Sequence, residues 1–104
     1  MRVSGLLIIG LALGLVACSG RAHPHHTPTA SVGERLFAAH CSACHGVGGT
    51  GTRIGPSLIH VRDRLHTAGL KAIILDPTPP MPRLVPGRLS RRDVVDIVAY
   101  LQTL

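Results

Sequence analysis

An all-α fold follows from three observations: helical spacing of apolar residues in three stretches, an N-terminal cap pattern at the start of each, and no convincing strand signal. In the first stretch Ser31-Val-Gly-Glu34 has the capping-box form, in which the Ser hydroxyl and the Glu side chain each satisfy a free amide of the opening turn. Gly33, Leu36, Phe37 and His40 then follow at helical spacing, so a helix is expected from Ser31 into Cys41. Thr67 is the expected cap of a second helix, with Leu70, Ile73 and Ile74 on one face and Asp76-Pro77 ending it. Ser90-Arg-Arg-Asp93 repeats the cap pattern, and Val94, Ile97, Val98, Leu101 and Leu104 form one stripe of a third helix, with Tyr100 on its flank. Gly- and Pro-rich connections occupy 46–56 and 77–87, and no internal repeat is visible.

A chain of 104 residues has room for one small domain. It opens like a targeting segment: Arg2 is a positive start, and Val3 to Val16 form an apolar run. That run falls short of the roughly 20 residues needed to span a bilayer, and a polar, Pro-containing stretch follows it rather than more core. Leu15-Val16-Ala17-Cys18 resembles the lipobox of bacterial lipoproteins, in which cleavage leaves the cysteine lipidated at the new N-terminus. Ordinary secretory cleavage after Ala17 is the alternative, but it leaves Cys18 as an unpaired thiol. The expected organisation is therefore a leader over 1–17, a flexible tether over 18–30 with lipidated Cys18, and a folded domain over 31–104. The expected location is the periplasmic side of a bacterial membrane, and Ser19 resembles the second residue of lipoproteins sorted onward to an outer membrane. His23, His25 and His26 of the tether could gather a transition metal. With no carboxylate or thiol beside them to fix a geometry, a solvated linker is the simpler reading.

A domain this small usually needs a disulfide, metal or cofactor, and here Phe37 and Tyr100 are the only aromatics. The sequence Cys41-Ser-Ala-Cys44-His45 offers one. Two thiols separated by two residues can each add to one vinyl group of a porphyrin, and the adjacent imidazole can then ligate the iron. This is the pattern of covalent haem c attachment. Thioredoxin-like chemistry would want a βαβ context, which is absent. A zinc site would have to crowd His40, Cys41, Cys44 and His45 into about one turn. A Cys41–Cys44 disulfide would close too small a loop to staple the domain. Beyond the leader Met81 is the sole methionine, held in Pro79-Pro80-Met81-Pro82 and away from any apolar helical face. A rigidly held thioether is a natural sixth ligand, which would raise the potential and close the iron to substrates. His60 and His66 are rival distal ligands in poorer context.

Together these motifs resemble class I, or monohaem, cytochrome c in its bacterial lipoprotein form, over nearly all of residues 31–104. The resemblance implies a cytochrome c-like domain of three to four helices around one covalent haem c. Gly55-Pro56-Ser57-Leu58 matches the family's Gly-Pro-x-Leu, which implies that the Pro56 carbonyl orients His45 and that Leu58 packs on the ring. Met81-Pro82 matches its Met-Pro pair, implying His45 as proximal and Met81 as distal iron ligand. Its terminal helices cross at a small residue against an aromatic, which points to Gly33 and Phe37 meeting Ile97, Tyr100 and Leu101. There is no Trp, so the propionate partners are not fixed by the resemblance. Arg53, Arg62, Arg64 and Arg83 are the candidates.

The formal net charge of +6 suits an acidic redox partner or an anionic membrane surface. Without aromatic stacking residues, an exported chain of this kind is a poor nucleic-acid binder. The expected function is non-enzymatic: a one-electron carrier exchanging electrons with protein donors and acceptors. The alternatives are a small-ligand sensor with a labile Met81, a haem subunit of a larger redox enzyme, and a haem-free lipoprotein held by a metal or disulfide.

Overall fold

A computed structural model describes residues 24–104, with Gly14 and Gly20; the rest of the expected leader, Cys18 and tether residues 19 and 21–23, with His23, lie outside the described residues. Among the described residues there are four α-helices: α1 (Ala30–His40), α2 (Ser42–His45), α3 (Thr67–Leu75) and α4 (Arg91–Leu101). Two short 3₁₀ turns, Val47–Gly49 and Val61–Asp63, punctuate the connection between α2 and α3. The described residues contain no strand, in keeping with the all-α expectation.

Helices α1 and α4 pack across each other, and Gly33 is the reason they can. A Cβ at that position would lie 1.9 Å from the carbonyl oxygen of Asp96, so only glycine lets the two backbones approach so closely. One turn further on, the rings of Phe37 and Tyr100 meet with centroids 5.4 Å apart and planes tilted by 56°, a favourable edge-biased arrangement. Tyr100 is thus buried in the core, not placed on the flank of its helix. Val94, Ile97, Val98 and Leu101 complete the buried stripe of α4, while Leu70 and Ile74 bring α3 onto the same core.

The caps divide. At α4 the Ser90 hydroxyl accepts from the Asp93 amide (3.1 Å), and the Asp93 carboxylate accepts from the Ser90 amide (2.7 Å), forming the expected capping box. At α1 the expected Ser31–Glu34 box does not form: the helix begins at Ala30 with Thr29 at the cap position and no side-chain cap bond. The cause lies far along the chain. Buried Asp96 accepts from the Thr29 amide (2.8 Å) and from His26 Nε2 (2.8 Å), so the segment before α1 is pinned to α4 and the cap position falls at Thr29, two residues before Ser31. Likewise Thr67 is the first residue of α3, with His66 at the cap position and no side-chain cap bond. The end of α3 is as expected, with Asp76 at its C-terminal boundary.

Candidate haem attachment site

The helix expected to run into the cysteines instead breaks at Cys41 and resumes as the single turn α2, Ser42–His45. The Cys41 carbonyl accepts from the amides of Cys44 (3.2 Å) and His45 (2.9 Å), and this tight turn sets the spacing between the two thiols. Both thiols are free and partly buried. Burial, assisted by the neighbouring Cys44, pushes the Cys41 thiol up to about 11, so it stays protonated and weakly nucleophilic at neutral pH.

The chain after α2 folds back to hold His45. Its Nδ1 lies 2.9 Å from the Pro56 carbonyl oxygen; a carbonyl only accepts, so Nδ1 carries the proton and Nε2 is left with a free lone pair. Gly55 is buried beside it. A Cβ there would lie 2.7 Å from the Cys44 carbonyl oxygen and 3.1 Å from His45 Nδ1. Thr52, which the motif reading did not single out, ties the same turn together. Its hydroxyl donates to the Cys44 carbonyl and accepts from the Ile54 amide at 3.0 Å, while its amide donates to the Gly55 carbonyl at 2.9 Å.

A cavity of about 470 Å³ opens against this segment, within the size range of cofactor sites. All six expected site residues of the domain line it: Cys41, Cys44, His45, Pro56, Leu58 and Met81. Phe37, Val61, Leu70, Ile74 and Leu84 supply apolar lining from the core. Exposed Ile54 and Ile73 also line it, so the site reaches the surface. Arg64 is the one arginine on the lining, and its guanidinium reaches the Ser57 carbonyl at 3.3 Å. Arg62 is turned to the Gln102 carbonyl and Arg83 to Asp76, and neither these nor Arg53 line the cavity. His60 and His66 are also off the lining, whereas His40 is on it.

Met81 is carried by the loop between α3 and α4, in which the Pro79–Pro80 bond is cis. Its amide donates to the Thr78 carbonyl at 3.2 Å. The two free thiols, an imidazole with one bare nitrogen, a thioether and apolar walls together fit a covalently attached haem. The zinc arrangement finds no support: among the described residues no three His, Cys, Asp or Glu side chains converge to hold a metal ion.

Fold and site thus define a small c-type cytochrome domain that binds haem c. Residues 28–101 match the family model described as cytochrome c oxidase, cbb3-type, subunit III, and the chain belongs to that family of c-type cytochromes. Over 103 residues it is 36% identical to the dihydro-haem d1 dehydrogenase of Pseudomonas aeruginosa, covering 97% of this chain but only 19% of that protein. Among solved structures it is similar to the c-type cytochrome XoxG of Methylobacterium extorquens, with a TM-score of 0.62 and 26% identity over 68% of this chain and 46% of that one. The fold is shared with cytochrome c6 of the diatom Phaeodactylum tricornutum, with a TM-score of 0.57 and 23% identity over 72% of this chain and 92% of that one.

Proposed function

We propose that this chain is a one-electron carrier whose haem c is held between His45 and Met81, and that lipid on Cys18 tethers it outside the cytoplasm. The observation that supports the ligand pair most is that Met81 and His45 line one cavity, which the rival distal ligands His60 and His66 do not. When bound, haem c supplies a one-electron Fe(III)/Fe(II) couple. Cys41 and Cys44 hold it covalently, so it is not lost between partners. The Pro56 carbonyl fixes the tautomer and direction of the His45 ring. A thioether from Met81 favours the reduced state and leaves no position for a substrate. Apolar side chains from the core exclude water, and Arg64, the sole arginine on the lining, would offset a propionate charge.

Exposed Ile54 and Ile73 offer an apolar rim for transient contact, and the basic balance of the chain, +6 in full and one less without Arg2 of the leader, would steer an acidic partner towards it. The tether confines that encounter to one membrane face. Replacing Cys18 by Ser should move the exported protein from the membrane to the soluble fraction.

The test is to expose reduced, haem-loaded protein to carbon monoxide at neutral pH while titrating its potential. A carrier shows a reversible one-electron couple and an unchanged spectrum under the gas. Rapid formation of a carbonyl adduct would instead favour a small-ligand sensor. A second reading, a haem module acting within a larger redox enzyme, is supported by the identity to the dehydrogenase, of which this chain spans 19% of the length. It predicts a stable complex with a second protein instead of a collisional one.

A further inference from the structure

Met81 sits in a segment with little internal hydrogen bonding. Pro77, Pro79, Pro80 and Pro82 have no amide hydrogen, and the Met81–Thr78 bond is the one backbone–backbone bond donated from within residues 77–83. Prolines stiffen the segment, so it moves most readily as a unit about its two ends. One side chain joins those ends. Arg83, two residues beyond Met81, donates from Nη1 to the Leu75 carbonyl at 3.0 Å and from Nη2 to Asp76 Oδ1 at 2.5 Å. Leu75 is the last residue of α3, so its carbonyl lies at the partial-negative end of that helix and has no intrahelical partner. The planar guanidinium fork spans a carbonyl and a carboxylate on adjacent residues, which an ammonium group cannot match in geometry. Leu70 and Ile74 bury α3 in the core, and Leu84 anchors the far end of the Met81 loop there, so between α3 and Leu84 the loop itself has the Arg83 clasp and one backbone bond to hold it.

We infer that Arg83 is a positioning residue: by closing the Met81 loop onto the end of α3, it sets how readily Met81 yields the iron to an external ligand. This rests on Met81 being the distal ligand. The clasp separates a closed carrier from an open, ligand-binding haem on the same scaffold. It also occupies the Arg83 guanidinium away from the cavity lining, where a propionate partner would have to stand.

The experiment is an imidazole titration of the oxidised, haem-loaded protein, read by the thioether-to-iron charge-transfer band, for wild type, Arg83→Ala, Arg83→Lys, Asp76→Asn and the Arg83→Ala/Asp76→Asn pair. Arg62→Ala, which breaks an unrelated contact to the Gln102 carbonyl, is the control. Because the clasp is solvent-exposed, Arg83→Ala should raise imidazole affinity by roughly three- to tenfold, with Lys restoring part of the wild-type behaviour. The double variant should add little to Arg83→Ala alone, as expected of two groups in one interaction. Imidazole affinity unchanged in Arg83→Ala, or raised equally in Arg62→Ala, overturns the inference. A wild-type protein without the thioether band overturns the ligand reading beneath it, which is a different and recognisable failure.

Discussion

The segment that presents His45 and the loop that presents Met81 are built on opposite principles. Around His45 the contacts are short-range, backbone-directed and redundant: Pro56 takes the ring nitrogen, Thr52 takes the Cys44 carbonyl, and the Gly51 amide takes the His45 carbonyl at 2.6 Å. Losing one leaves others in place. The Met81 loop has stiffness from proline but only one backbone bond of its own and an exposed clasp at its base. In the proposed carrier the permanent bonds, two thioethers and an imidazole, thus sit on the over-determined segment. The proposed Met81 bond, which would decide whether the iron is open or closed, sits on the segment with fewer bonds of its own.

The largest effect should come from breaking the redundant side where it has no spare room. Gly55→Ala would set a methyl 2.7 Å from the Cys44 carbonyl oxygen, and overpacking of this kind costs roughly 1–3 kcal/mol. The expected result is a reduced yield of haem-bearing protein by pyridine haemochrome assay. In the fraction that is formed, the potential should still reflect Met81 ligation.

A smaller effect should follow at the root of α1, the helix that leads to Cys41. Asp96→Ala removes the acceptor shared by His26 and Thr29, and because both donors stay within reach of water the loss should be that of an ordinary hydrogen bond, roughly 0.5–1.5 kcal/mol. His26→Ala should cost less, since the Thr29 bond survives. Both changes should lower the unfolding temperature and leave imidazole affinity at the iron unchanged, because neither touches the Met81 loop.

The smallest effect is expected at the α4 cap, remote in role from either ligand. Hydrogen bonds from the Ser90 amide and hydroxyl hold the Asp93 carboxyl below the usual carboxylate range. A carboxyl lowered on folding stabilises the native state above its unfolded value, and that contribution fades as pH falls through the folded one. Asp93→Asn should therefore lower stability slightly at neutral pH, by under about 1 kcal/mol for so exposed a group. Thermal melts of variant and wild type should converge on acidification.

How much of this was legible in the chain depended on distance along it. Cys41, Cys44 and His45 are contiguous, and Pro56, Leu58 and Met81 belong to short motifs, so local spacing was enough to nominate residues that line one cavity. The same holds for the Ser90–Asp93 cap, a contact between neighbours. Ser31–Glu34 had an equally good local pattern and failed, because Asp96, a long way down the chain, pinned Thr29 and moved the helix start. No pattern in the tether marked His26 as a partner for that carboxylate. The four arginines were equivalent as letters; only the folded connection between α2 and α3 turns Arg64 to the cavity and leaves Arg83 for the end of α3. Helix registers and motif chemistry are local properties, whereas the partner of a polar side chain is a property of the fold.

Whether this domain is a closed carrier turns most directly on the sixth ligand. The measurement is the weak far-red charge-transfer band of a thioether–iron(III) bond in oxidised, haem-loaded protein, compared among wild type, Met81→Ala and His40→Ala. Ligation by Met81 predicts the band in wild type and in His40→Ala, and its loss in Met81→Ala together with a lower potential and new binding of carbon monoxide in the reduced state. A wild-type spectrum without the band, or a band that survives Met81→Ala, would contradict it.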